Sequence, residues 1–209
     1  MIGRRGLFIS IDGPGGSGKS TVAALAASRL ARHGLAVHQT REPSPTPLGQ
    51  LIRASTDEYA GVALACLVAG DRHHHLAAEI RPALAAGQII ICDRYLPASL
   101  VLQRMDGISW DVILQLNQGA DQSDLAVILN GSPAVIASRL AARDRHSRFE
   151  RQPGSSQVES DLYTDTAARL AEAGWPVCAI DITTRSADEA AMIVTDRILT
   201  LHNANPEPP

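Results

Sequence analysis

Excess positive charge is missing from this chain: 19 Lys and Arg stand against 22 Asp and Glu, a formal net charge of −3. A broad basic surface for nucleic acid is therefore excluded, and any strong positive field has to be local. Long apolar runs are missing too. The nearest candidate, "VALACLVAG", is far shorter than a membrane span. The N-terminus leads straight into a strand-like run without an apolar leader segment, so no secretory signal is expected. Cysteine is sparse: Cys66, Cys92 and Cys178 lie far apart in apolar stretches. That spacing suits reduced core residues in a cytoplasmic protein rather than a disulfide framework or a metal site. No internal repeat is visible, and 209 residues suit one domain.

What is present is a phosphate cradle. "GPGGSGKS", residues 13–20, fits Gly-x-x-x-x-Gly-Lys-Ser between the apolar run "LFISI" and the alanine-rich "TVAALAASRL". Strand, glycine-rich turn and helix in that order point backbone N–H groups and a helix N-terminus at a phosphate. Gly13, Gly15, Gly16, Ser17, Gly18, Lys19, Ser20 and Thr21 form the expected nucleotide-binding loop. Lys19 would reach the β- and γ-phosphates, and Ser20 would offer its hydroxyl to Mg²⁺.

Around this loop, "LFISI", "LAVHQ", "QIIIC", "LAVIL" and "VCAIDI" alternate with helical segments, which predicts a five-stranded parallel sheet covered on both faces. The stretch from Tyr59 to Ala86 reads as one long helix that Pro82 bends or ends, and Ser132 with Pro133 reads as an N-cap opening another. Residues 1–202 form one expected domain with a helical, basic lid at about 143–157. The polar, proline-rich 203–209 is an expected disordered tail.

Asp93 and Arg94 follow an apolar strand directly, which puts them at the ligand-binding edge of a parallel sheet. Asp93 there can hold Mg²⁺, and Arg94 can grip a phosphate. Arg41, Glu42 and Arg53 flank a proline-bearing loop; a second anion site and plain solvated charges both account for them. Histidines 73–75 fan around a helix and cannot converge on one metal ion, which leaves solvated or pocket-lining roles.

The ordered series "DGPGGSGKS", "TREP", "TPLGQLIR", "LVAGDRHHHLAAEIRPAL", "CDRYLPASLVLQ" and "RLAARDRHSRFE" resembles the thymidylate kinase family of nucleoside-monophosphate kinases, over nearly the whole chain. The phosphate loop lacks arginine and the lid has several, similar to the members that supply catalytic arginines from the lid. The resemblance implies a P-loop three-layer fold and ATP- and Mg²⁺-dependent phosphorylation of dTMP or a related acceptor by a homodimer paired near residues 59–86. It implies that Asp12 serves the acceptor phosphate and metal region, that Arg94 bridges the two phosphates, and that Arg41 and Arg53 hold the acceptor phosphate. Arg72 and Ser99 would read the base within a pocket that includes Gln103, while Arg143 and Arg148 would stabilise the transferring phosphoryl group. A same-fold kinase for another phosphorylated acceptor and a non-catalytic ATP-binding regulator are the competing readings.

Two departures bear on the acceptor. Val68 stands where the family usually has a stacking Phe, and Leu102 where an aromatic commonly precedes Gln103. The only phenylalanines are Phe8 and Phe149. The expected pocket has thus lost its aromatic walls, which predicts poor use of dTMP.

Overall fold

The computed structural model describes residues 5–142 and 148–204. Five strands build the sheet: β1 (Phe8–Asp12), β2 (Val37–Arg41), β3 (Ile89–Asp93), β4 (Leu125–Asn130) and β5 (Val177–Asp181). All pair in parallel, in the order β2-β3-β1-β4-β5. Every residue of β1 is buried, as a central strand covered on both faces requires.

Alternation along the strands divides the core. Ile9, Ile11, Ile91, Val127 and Leu129 face α1 (Lys19–Arg32) and the C-terminal helix, whereas Phe8, Ile90 and Cys92 face the opposite layer. Between the first strands lie α2 (Pro47–Ala54), α3 (Gly61–His75) and, after a π-helical turn at Leu76–Ile80, α4 (Arg81–Ala85). Beyond β3 come α5 (Leu96–Met105), α6 (Trp110–Leu116), α7 (Pro133–Ala141), the four-residue α8 (Arg148–Arg151), α9 (Ser155–Glu172) and α10 (Ala187–Ala204).

Four expectations are corrected. The long helix starts at Gly61 rather than Tyr59, with Asp106 Oδ2 accepting from Gly61 N at 3.2 Å. It neither ends nor kinks by simple proline disruption at Pro82, because the wide turn at Leu76–Ile80 absorbs the missing N–H, and α4 continues to Ala85. Ser132 is the N-cap of α7 and Pro133 opens that helix, as expected, although the Ser132 side chain makes no capping bond and its N–H donates to Thr183 Oγ1 at 2.8 Å. The last helix runs through Ala204, since its first breaking signal is Pro206, and 205–209 lie outside the described residues. Of the cysteines, only Cys92 is a core residue: Cys178 is half-buried, and Cys66 is exposed because it falls on the outer face of α3.

Candidate active site

Parallel strands end on one edge, and the crossovers from β1 and β3 leave that edge side by side, so the loop after β1 and the residues closing β3 share a single cleft. The tight path of the loop has a local cause. Gly13 has φ +152°, and a Cβ there would sit 2.2 Å from the Leu129 carbonyl oxygen, so only glycine lets the chain pass β4. Lys19 is buried and donates through Nζ to Pro14 O at 2.7 Å and to Ser17 Oγ at 3.4 Å. Burial, with Arg94 nearby, holds its ammonium well below the usual lysine range despite Asp93, Glu159 and Asp12. An incoming polyphosphate would restore its charge.

Two cavities meet at this point. The smaller, about 240 Å³, is lined by Gly16, Gly18, Lys19, Ser20, Thr21, Asp93, Arg94 and Arg139. The larger, about 530 Å³, runs from Ser20, Asp93 and Arg94 past Arg41 and Arg53 to an apolar end at Val68, Leu102 and Phe149. Ser20, Asp93 and Arg94 therefore belong to both. Ser20 Oγ donates to Asp93 Oδ2 at 2.5 Å, while Asp93 Oδ1 is buried without a partner. Arg94 adopts φ +72°, unusual for a side-chain-bearing residue, which turns the chain sharply at the sheet edge. Burial disfavours its charge, but Tyr163, Asp93, Glu159 and Glu150 more than offset that and keep it protonated.

Arg41 is exposed and Arg53 half-buried, and both face the larger cavity. Arg53 Nη1 donates to Pro43 O; burial first and Arg41 second lower its guanidinium from the ordinary value. Two cations pressed onto one wall mark a place where an anion relieves repulsion. Deeper in, Arg72 is almost wholly buried: Nε and Nη2 donate to Glu42 Oε2 at 2.8 and 2.7 Å, Nη1 to Asn117 Oδ1 at 2.5 Å and Nη2 to Ser99 Oγ at 2.8 Å. Arg72, Ser99 and Gln103 all line the larger cavity. His75 is drawn into the same network by Thr40 Oγ1 at 2.7 Å and Glu42 Oε1 at 3.5 Å, while His73 reaches Leu116 O at 3.4 Å.

Other expected residues sit elsewhere. Asp12 lines neither cavity: its Oδ1 accepts from Tyr95 N at 2.8 Å and Ala98 N at 3.1 Å at the start of α5, and burial pushes its pKa up to about 6. Arg148 is paired with Asp106 Oδ2 and lies over the Phe149 ring, 4.4 Å from its centroid. Arg143 lies outside the described residues.

Four residues escaped the sequence reading. Arg139, in the last turn of α7, lines the smaller cavity and donates to Ile182 O at 3.2 Å. Glu159 Oε2 accepts from Gly15 N at 2.9 Å, and a Cβ on Gly15 would meet Glu150 Oε1 at 2.6 Å, so two acids, from α8 and α9, press on the glycine loop. The glycine itself was the available signal. Phe149 corrects the expectation of a pocket without aromatic walls: it packs with Ile52 and Leu64 against Val68 and Leu102 and lines the larger cavity. Beside it, Arg148 and Arg151 of α8 are paired with Asp106 and Asp57, residues distant along the chain.

A family model described as thymidylate kinase matches residues 11–198. A probable thymidylate kinase of Caldivirga maquilingensis is 35% identical over 175 residues, 82% of this chain and 84% of the relative. A second, from Pyrobaculum aerophilum, is 35% identical over 88% and 92% of the two chains. The thymidylate kinase of Pseudomonas putida is 42% identical over 156 residues, 70% of this chain and 74% of that one. A phosphate loop whose serine, with the aspartate and arginine closing the third strand, is shared by two adjoining cavities is what a kinase of phosphorylated acceptors requires, and with these likenesses the chain belongs to the thymidylate kinase family.

Proposed function

We propose that this protein transfers the γ-phosphoryl group of ATP to dTMP, with the donor in the smaller cavity and the acceptor in the larger. The observation that carries the reading is the shared boundary: Ser20, Asp93 and Arg94 line both cavities, so donor and acceptor phosphates would meet there. In-line transfer asks for positioning and charge stabilisation rather than covalent help. Lys19 and the loop N–H groups hold the donor phosphates, and Arg94 stands between the reacting groups. Arg41 and Arg53 grip the acceptor phosphate, with Arg72, Ser99 and Gln103 at the polar edge of its base. The apolar end excludes water that would otherwise compete as acceptor. A further hollow of about 190 Å³ beside Gly16, lined by Arg139, Ile182, Arg185 and Ala187, would take the adenine.

The Ser20 hydroxyl and the partnerless Oδ1 of Asp93 form a hard, all-oxygen donor pair that fits Mg²⁺ completed by phosphates and water. Ser20 and Asp93 would hold the ion there, and it would supply positive charge against the donor phosphates. Arg148 reaches the transferring group only after leaving Asp106, which makes lid rearrangement part of the cycle. Exposed Val62 and Cys66 on α3 suit a homodimer through that helix. No helix among the described residues is long and apolar enough to cross a membrane, and free cysteines fit the reducing interior of the cell.

Coupled ADP detection with dTMP, dUMP, dCMP, CMP and UMP tests the reading. We expect dTMP to give the highest kcat/KM and Lys19→Ala to abolish turnover while far-UV circular dichroism stays unchanged. Equal turnover by Lys19→Ala would refute the cradle assignment.

A further inference from the structure

The larger cavity is built with two unlike ends. Arg41, Arg53, Asp93 and Arg94 make one end charged, whereas branched aliphatic side chains at Val68 and Leu102 make the other apolar without offering any π face. Only two of the described residues lining it are aromatic, Tyr95 and Phe149. Tyr95 is fully buried and committed: its ring meets the edge of Phe8 at 4.8 Å, the Arg72 guanidinium lies 5.0 Å from its centroid, and its hydroxyl donates to Asp121 O at 2.8 Å. Phe149 carries no hydroxyl, and although the Arg148 guanidinium lies 4.4 Å from its centroid, the ring still lines the larger cavity. It comes from α8 and packs against Ile52 and Leu64 in the space that Val68 and Leu102 leave.

We propose that Phe149 is a specificity-determining residue: the ring against which the planar base of the acceptor packs, presented by the same short helix that carries Arg148. This rests on the reading of the larger cavity as the acceptor site. A nucleoside monophosphate is charged at its phosphate and flat and weakly polar at its base, which matches the two ends, and a volume of about 530 Å³ lies within the range of small-ligand sites. An aliphatic wall gives such a base only area, whereas an aromatic face adds stacking. The placement also joins recognition to catalysis. Phe149 and Arg148 are consecutive, so a base seated on the ring holds α8 over the cavity with its arginine one residue from the site. Acceptor binding then organises the lid, whereas a wall on α3 would leave the lid uninformed.

Steady-state kinetics on Phe149→Leu and Phe149→Tyr test this. Leucine keeps apolar packing against Ile52 and Leu64 but removes the π face; tyrosine keeps the face. We expect Phe149→Leu to raise KM for dTMP about tenfold, with KM for ATP changed less than about twofold, and Phe149→Tyr to stay near wild type. A dTMP KM unchanged in Phe149→Leu, or an ATP KM that rises equally with it, would overturn the proposal and leave Phe149 as lid packing. Wild-type protein that phosphorylates no nucleoside monophosphate would instead overturn the acceptor-site reading itself, so the two failures are distinguishable.

Discussion

Asp12 is the clearest case of a side chain whose surroundings dictate its charge. Its carboxyl is fully buried, one oxygen caps the start of α5 and the other has no partner, and burial raises its pKa from 3.8 to about 6. The folded state therefore holds this proton more tightly than the unfolded chain does. The resulting stabilisation is complete below pH 3.8 and is lost as pH rises through about 6. The span corresponds to about 3 kcal/mol. Asn at this position keeps the accepting oxygen without the charge. Urea midpoints from pH 4 to 8 should show Asp12→Asn gaining on wild type as pH rises; parallel profiles would mean that Asp12 does not titrate there. Arg148 is decided by a different contest. Its pair with Asp106 is mostly buried, with 20% of the arginine and 5% of the aspartate side chain exposed, so Arg148→Ala leaves the carboxylate short of its cation and should cost about 1–3 kcal/mol of stability. Its kcat should fall ~10³-fold with little change in KM for ATP, as for an arginine that acts mainly in the transition state. A rise in KM alone would make it a ground-state binding residue.

Arg72 shows how elements are held in register. Through one guanidinium, α3 reaches Glu42 after β2, Ser99 on α5 and Asn117 after α6. Glu42 and Arg72 are both almost fully buried, so removing the cation leaves an uncompensated carboxylate in the interior. Arg72→Ala should cost about 3–5 kcal/mol, and adding Glu42→Gln should recover part of that loss rather than deepen it. A double-mutant cycle in urea measures this. Strict additivity would show that the pair does not act as a unit. The same network brings together segments that are far apart in the chain: Arg41, Glu42 and Pro43 of "TREP" and Arg72 of "DRHHH" all line the larger cavity.

For the molecule as a whole, the decisive feature is that the two cavities share Ser20, Asp93 and Arg94 at the sheet edge. A ligand that joins an adenosine nucleotide to thymidine through a continuous phosphate chain should therefore bind more tightly than either half. At about 100 times its Kd it should stabilise the fold by about 2.7 kcal/mol. Thermal unfolding should show a larger Tm rise with the joined ligand than with ATP or dTMP at equal concentration. A rise no greater than that with ATP alone would mean that the cavities are not in line.

The motifs of the donor side were legible in the sequence because they are local. A glycine loop, its lysine and the aspartate and arginine closing a strand are specified by neighbours a few residues away, and alternating apolar runs announced the five parallel strands. Only the tertiary structure decided what lies between distant segments. Phe149 reaches Val68, Glu159 reaches Gly15, Asp106 takes Arg148, and Asp12 turns away to cap α5, and each of these pairings depends on where crossovers set whole helices. The sequence therefore determined that a glycine-rich loop follows the first strand and at which sheet edge it sits. The packing of α8 and α9 against that edge determined how the pocket facing it is walled, because a side chain's partner across a fold follows from helix placement and not from its own neighbours in the chain.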